Sequence, residues 1–446
     1  MKKTFIISIV FVLILAMGLG IYGITHQGNF SAAQVKNTAS YLSSSDFDGR
    51  LCGTMGNIQA EEFIKNWFKV NKLKSFKGTY MQKFYVSYPK KIAGKPYLRV
   101  VDKNSAVVKD FIYGKDYKED MLNFKEHSFK ISKKQVINKS SSSIHIVQNN
   151  NSFLIYHGNN KKSLEMRSSF FSDSNISMCI LVSKNTISKL NKYIDQGYYI
   201  ECFIPMENSR TAAENVMGYI QGKNRNKDPL IISAHFDHLG MDLNNNIYYG
   251  ALDNASGTAF MLELVKYVTS LGTPDRSILF IGFNAEEFGC LGSKAFVKKY
   301  KSNIKDSTVF NFDMIGSNNY PLCIMGSESD SSKTSLIKST AETCTNKKVY
   351  YNYIFADSSD HEYFRKNNID AITFCDNDTS KIHTLSDKAE NIDVSAINRC
   401  FKIISREIIR YSYNNDPLKL YCNQIFMYSF LGLCGIFTFL MVYKRK

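Results

Sequence analysis

Two long apolar runs, residues 5–24 and 425–442, stand at opposite ends of the chain, and the pattern between them changes twice. Each run is about 20 residues without a charge, enough to cross a bilayer as a helix. Lys2 and Lys3 precede the first run, and Lys444, Arg445 and Lys446 follow the second. The positive-inside rule puts both basic tips in the cytoplasm and everything between them outside. The first run also reads as a signal peptide, with Ser31-Ala32-Ala33 as its small-residue site, and this leaves the middle of the chain outside too.

Residues 59–70 place Ala60, Phe63, Ile64, Trp67 and Phe68 at helical spacing, which predicts an amphipathic helix. Residues 91–204 then break into short strand-like runs separated by polar tracts at 140–143, 149–151 and Asn159-Asn160, the pattern of an inserted, mainly β module. From Asn215 onward strands alternate with helices. Residues 230–234 form a nearly continuous apolar run, as in a strand covered on both faces. A helix over 258–271, strands over 277–283, 309–312 and 371–374, and a last helix capped by Asp393 and carrying Ile397, Phe401, Ile404, Ile408 and Tyr411 follow. The expected fold is α/β: a mixed, mostly parallel sheet flanked by helices, with an inserted β domain and terminal transmembrane helices. The expected segments are 1–26 (signal anchor or signal peptide), 27–90 (first part of the α/β domain), 91–204 (insertion), 205–420 (the remaining α/β domain) and 421–446 (C-terminal span and basic tail).

Composition narrows the function. Lys and Arg number 56 against 40 Asp and Glu, a formal charge of +16, yet no basic recognition helix accompanies the charge, so nucleic acid is not an expected partner. The bias toward Lys, Asn, Ile and Tyr is what an AT-rich genome produces, and an anionic membrane or wall surface is the natural use of the charge. Hydrophobic residues at 44% and charged residues at 22% exclude a disordered chain. Ten cysteines without a Cys-x-x-Cys pair exclude a zinc ribbon or a dense disulfide framework.

The chemistry gathers at strand ends. His235, Asp237 and His238 end the first strand, Asp253 and Asn254 precede the next helix, Glu286 and Glu287 end the second strand, Asp313 ends the third, and His383 lies in a loop after the fourth. Ligands collect at the carboxyl ends of strands in open α/β sheets, so these segments can converge. Imidazoles with carboxylates form a hard N/O donor set suited to Zn²⁺ or a similar ion. The insertion has no such cluster, and its histidines, His127, His145 and His157, sit alone. The site is therefore expected to assemble without it.

In order and spacing, Ala-His-Phe-Asp-His, Gly-Ala-Leu-Asp-Asn-Ala-Ser-Gly, Ala-Glu-Glu-Phe-Gly, Asn-Phe-Asp-Met-Ile-Gly and Ile-His-Thr resemble the M28 family of zinc peptidases. Gly49-Arg50, Glu214-Asn215-Val216 and Ser359-Asp360-His361 share the likeness, and the insertion resembles a protease-associated domain. The resemblance implies two zinc ions: one held by His235 and Asp313, the other by Glu287 and His383, with Asp253 bridging. It makes Glu286 the general base and Asp237 the partner of the His235 ring, with Asn254, Asp360, His238 and His361 in support. It also implies peptide substrates and an aminopeptidase, which the two apolar ends would hold at the cell membrane with its catalytic domain outside. One departure is Ile382, where many members carry a Tyr that steadies the oxyanion. A carboxypeptidase or glutaminyl cyclase on the same scaffold, a non-catalytic receptor-like homologue and a charge-driven surface adhesin are the competing readings. Oligomeric state, residue preference and native metal are not legible.

Overall fold

The computed structural model describes residues 2–158 and 163–444; the loop expected at Asn159-Asn160 and the last two basic residues lie outside them. Its centre is an eight-stranded sheet whose strands we number β1 (Met81–Lys91), β2 (Met206–Ile220), β3 (Leu230–His235), β4 (Ile278–Phe283), β5 (Thr308–Phe312), β6 (Leu322–Gly326), β7 (Tyr351–Phe355) and β8 (Asp370–Cys375). The spatial order is β1-β2-β4-β3-β5-β8-β6-β7. The neighbours β4-β3, β3-β5, β5-β8 and β6-β7 pair in parallel; the other three pairs are antiparallel, so the sheet is mixed. Strands β3, β4 and β5 are buried at every residue, which is why their sequences are mostly apolar.

Helices cover both faces of this sheet. Gly257–Ser270 and Val394–Ser412 join Met55–Val70 in one apolar core with β3, β4 and β5, while Leu291–Tyr300 packs in another on the opposite side. The Val394–Ser412 helix begins as expected, with the Asp393 carboxylate accepting from the Ser395 amide at 2.7 Å.

Strands β1 and β2 pair antiparallel along their whole length, from Met81 opposite Val216 to Lys91 opposite Met206. The inserted module grows from that last pair. It holds a four-stranded sheet (Tyr97–Val101, Val107–Phe111, Ser128–Ile131, Tyr199–Phe203) and a five-stranded sheet ending in Met178–Val182, with the helix Lys184–Asp195 between strands of the two.

The terminal runs form the helices Lys2–Thr25 and Pro417–Lys444, both long and apolar enough to cross a membrane. They lie side by side: Gly20 faces Phe426 and Gly23 faces Cys422, small residues that permit close approach between apolar helices. The second helix starts eight residues before its expected span. Pro417 supplies the φ of a first helical residue, and the Asp416 carboxylate caps the Leu418 amide at 2.9 Å. All ten cysteines are free thiols, nine of them buried.

Candidate active site

The predicted residues meet at the carboxyl ends of β3, β4 and β5. His235 is the last residue of β3, and Asp313 follows β5 directly. Asp253 sits in the irregular turn Ala251–Ser256, just before the helix that starts at Gly257. His235 Nε2 lies 3.3 Å from Asp313 Oδ1, 3.6 Å from Asp253 Oδ1 and 3.9 Å from Glu286 Oε2. On the other side, His383 Nε2 lies 3.2 Å from both Asp253 Oδ2 and Glu287 Oε2. Asp253 thus offers one oxygen to each group. Tetrahedral coordination with bonds of about 2.0–2.1 Å spaces its ligand atoms about 3.3 Å apart, so both clusters fit a first-row divalent ion.

The structure adds a residue to the second cluster. His238, read from sequence as a support, places Nδ1 2.9 Å from Glu287 Oε1 and 3.8 Å from Asp253 Oδ2, within ligand reach. His361 lies in a different hydrogen-bond network, with its ring nitrogens on the Ala356 carbonyl at 3.0 Å and the Thr373 hydroxyl at 2.9 Å. Asp360 is fully buried, and burial pushes its carboxyl up to about 7. Asn254 fastens two loops: its amide donates to the Phe312 carbonyl at 2.9 Å, and its oxygen accepts from the amides of Gly257 and Met314.

Adjacent glutamates can serve one site only if the chain turns sharply beside them. Ala285 has φ +58°, and the Glu286 carbonyl accepts from the amides of Gly289 and Cys290, both at 2.8 Å. Asp237 holds this turn from below, accepting the amides of Glu286 at 3.0 Å and Glu287 at 3.2 Å. Its separation from His235 Nδ1 is 3.7 Å, an electrostatic contact longer than a hydrogen bond. Non-glycine backbone in the left-handed region concentrates where function requires it, and Met314 (φ +58°) and His383 (φ +57°) share the feature.

The two glutamates differ electrically. Burial drives the Glu286 carboxyl well above the usual range; the charge of His235 opposes this, while the carboxylates of Asp313, Glu287 and Asp360 add to it. Burial works the same way on Glu287, but His383 and His238 overcome it and hold that group well below the usual range. Burial likewise disfavours charge on His235 and His383, yet the surrounding carboxylates keep both protonated well above the ordinary imidazole range. A buried cluster so rich in carboxylates calls for cations.

Two further contributors, Asp387 and Ser169, carried no readable signal, and Arg50 was read only as part of the Gly49-Arg50 likeness. Asp387 accepts the amides of Leu252 at 2.8 Å and Asp253 at 3.0 Å, fixing the turn that presents Asp253. Arg50 is fully buried and donates to the carbonyls of Leu42, Phe236, Tyr249 and Gly250 at 2.7–2.9 Å. Ser169, from the inserted module, donates its hydroxyl to Glu287 Oε2 at 2.7 Å. Around it, the Phe170 amide donates to the Glu287 carbonyl at 2.9 Å and the Arg167 amide to the His383 carbonyl at 3.0 Å. A strap from that module thus grips two of the predicted ligand residues, although the module carries no candidate ligand of its own. Ser169→Ala is expected to weaken the metal held by Glu287 about 10–100-fold in a chelator competition, while Ser169→Thr keeps it. Equal metal retention by Ser169→Ala and the parent would refute the positioning role.

Two histidine–carboxylate clusters sharing one aspartate, beside a partly buried glutamate, form a candidate metal centre on a mixed α/β sheet. Residues 215–408 match the model of peptidase family M28. The chain is 28% identical over 207 residues to the aminopeptidase YwaD of Bacillus subtilis (strain 168), covering 44% of each chain. It is 36% identical over 102 residues to the aminopeptidase NAALADL1 of Rattus norvegicus, covering 22% of this chain and 13% of that one. The chain thus spans less than half the length of these curated relatives. Among solved structures, the fold is similar to BSAP, a zinc aminopeptidase from Bacillus subtilis, with TM-score 0.64 and 19% identity over 86% of this chain and 96% of that one. An aminopeptidase from Aneurinibacillus sp. strain AM-1 is similar with TM-score 0.59 and 19% identity, over 88% and 96%.

Proposed function

We propose that the chain is a membrane-anchored aminopeptidase whose catalytic domain faces outside the cell and removes N-terminal residues from peptides with two zinc ions. The observation that carries this reading is Asp253, which turns one oxygen toward His235 and Asp313 and the other toward Glu287 and His383. When bound there, the ions would lower the pKa of a water and polarise the scissile carbonyl. His235 and Asp313 would hold one, Glu287 and His383 the other, and Asp253 both.

The protein's own share centres on Glu286. Its buried carboxylate has a raised proton affinity, so it takes the proton of the attacking water and returns it to the leaving amine. Asp237, Ala285 and Gly289 hold it apart from Glu287 so that base and ligand do not exchange roles. Carboxylates around the site attract a free α-ammonium group, which a blocked peptide lacks. Ile382 offers no hydroxyl to the developing oxyanion.

The test is a panel of aminoacyl-anilides given to the purified full chain. Hydrolysis of free-amine substrates is expected, with loss on chelation and return with Zn²⁺, and N-acetylated analogues should be left intact. Cleavage of N-blocked peptides from their carboxyl end would make it a carboxypeptidase, and a single bound ion with no anilide turnover would favour the cyclase reading.

A further inference from the structure

A cavity lies where the two apolar helices leave the body. Its volume is about 370 Å³. Tyr22 and His26 reach it from the end of the Lys2–Thr25 helix, Lys419 from the start of the Pro417–Lys444 helix, and Lys347, Phe401 and Arg406 from the body. Lys347, Arg406 and Lys419 are all half-buried, and none makes an ion pair with a carboxylate among the described residues. Arg406 donates to the Tyr421 hydroxyl at 3.2 Å and lies over that ring, while Lys419 donates to the Leu271 carbonyl at 2.8 Å. The acidic group at the cavity, Asp416, is committed to capping the Leu418 amide.

With three cations against the one carboxylate of Asp416 in its lining, the cavity is a receptor for an anion, and the location says which. Exposed Tyr22 and Tyr421 ring this level, where aromatic residues mark the boundary between hydrocarbon and headgroups. Below it both helices present apolar side chains to their surroundings, as Phe11, Leu15, Phe430 and Phe437 show. An anion at this height with apolar tails beneath it is a phospholipid. We propose that the cavity binds the phosphate-bearing headgroup of an anionic membrane lipid, tying the body to the bilayer surface at a fixed height. The proposal rests on the membrane-anchored reading given above.

The test uses the full chain extracted in detergent, stripped of lipid and offered phosphatidylglycerol or phosphatidylcholine, with bound lipid counted by native mass spectrometry. Phosphatidylglycerol should be retained preferentially. Arg406→Gln/Lys419→Gln should lose that preference by about tenfold or more, since each basic group near a membrane surface contributes roughly fivefold. The exposed pair Lys298→Gln/Lys299→Gln should retain it. Metal content and melting temperature of each variant establish that it is folded, and Arg406→Gln alone serves if the double variant is not. Equal retention of the two lipids by the parent, or a preference untouched by the cavity variants, overturns the proposal. Displacement of phosphatidylglycerol by free glycerol phosphate would assign the cavity to a soluble phosphate and overturn it equally. Release of the protein from membranes by alkaline carbonate would instead remove the anchoring reading itself, so the two failures are distinguishable.

Discussion

Glu286→Gln is expected to lower turnover about 10²–10⁴-fold while the folded protein still binds two metal ions. Glu287→Gln is expected to lose one ion and to recover part of its activity in excess Zn²⁺. The neighbours share residue type and chain segment, so their surroundings separate them. Glu286 stands with its carboxyl pushed up by burial and by the carboxylates nearby, ready to accept a proton. Glu287 is held as a carboxylate by His383 and His238 and steadied by the Ser169 hydroxyl. An amide in the first position keeps size and hydrogen bonding but takes no proton; an amide in the second is a poor ligand. Metal content measured beside turnover decides the assignment. Loss of an ion from Glu286→Gln with retention of both by Glu287→Gln would reverse the roles, and full activity in both variants would end the peptidase proposal.

How much of this was legible depended on whether the signal was local. Strands β3, β4 and β5 are covered on both faces, so burial writes itself into consecutive apolar residues, and each carries its chemical group directly at its end. The edge was harder. In β1 buried and exposed positions mix, with Lys83, Tyr85 and Lys90 facing out, and β7 exposes part of each of its residues, so neither formed a clear run. Among the site residues, those inside motifs were readable because the chemistry needs a fixed residue type at a fixed step from a strand end. Ser169 and Asp387 act across 118 and 135 residues of chain through one and two hydrogen bonds, and an isolated Ser or Asp has no pattern to reveal it. His238 was visible but misweighed: whether it supports or approaches a ligand set turns on the side-chain direction after β3, which sequence does not state.

Arg50→Met is expected to destabilise the protein by about 3–5 kcal/mol, the range for removing one partner from a buried charged network. Arg50 is completely buried, and its guanidinium donates to four carbonyls from three separate chain segments: Leu42, Phe236, and the pair Tyr249 and Gly250. Burial lowers its pKa to about 10, yet it stays charged, aided by the fields of Asp387, Asp253, Asp237 and Glu287. Methionine fills much of the volume but leaves those carbonyls unpaired and removes a cation from beside the carboxylate cluster. Lysine would restore charge without the planar fork, so Arg50→Lys should recover only part of the loss. Bound metal ions oppose the same negative charge and stabilise only the folded state, so Zn²⁺ should raise the melting temperature of Arg50→Met if the two-metal site still forms. Denaturant unfolding of the metal-free parent and variants gives the comparison. An unchanged midpoint for Arg50→Met would mean that the loops around Asp253 are held by other contacts, with Asp387 the first to be examined.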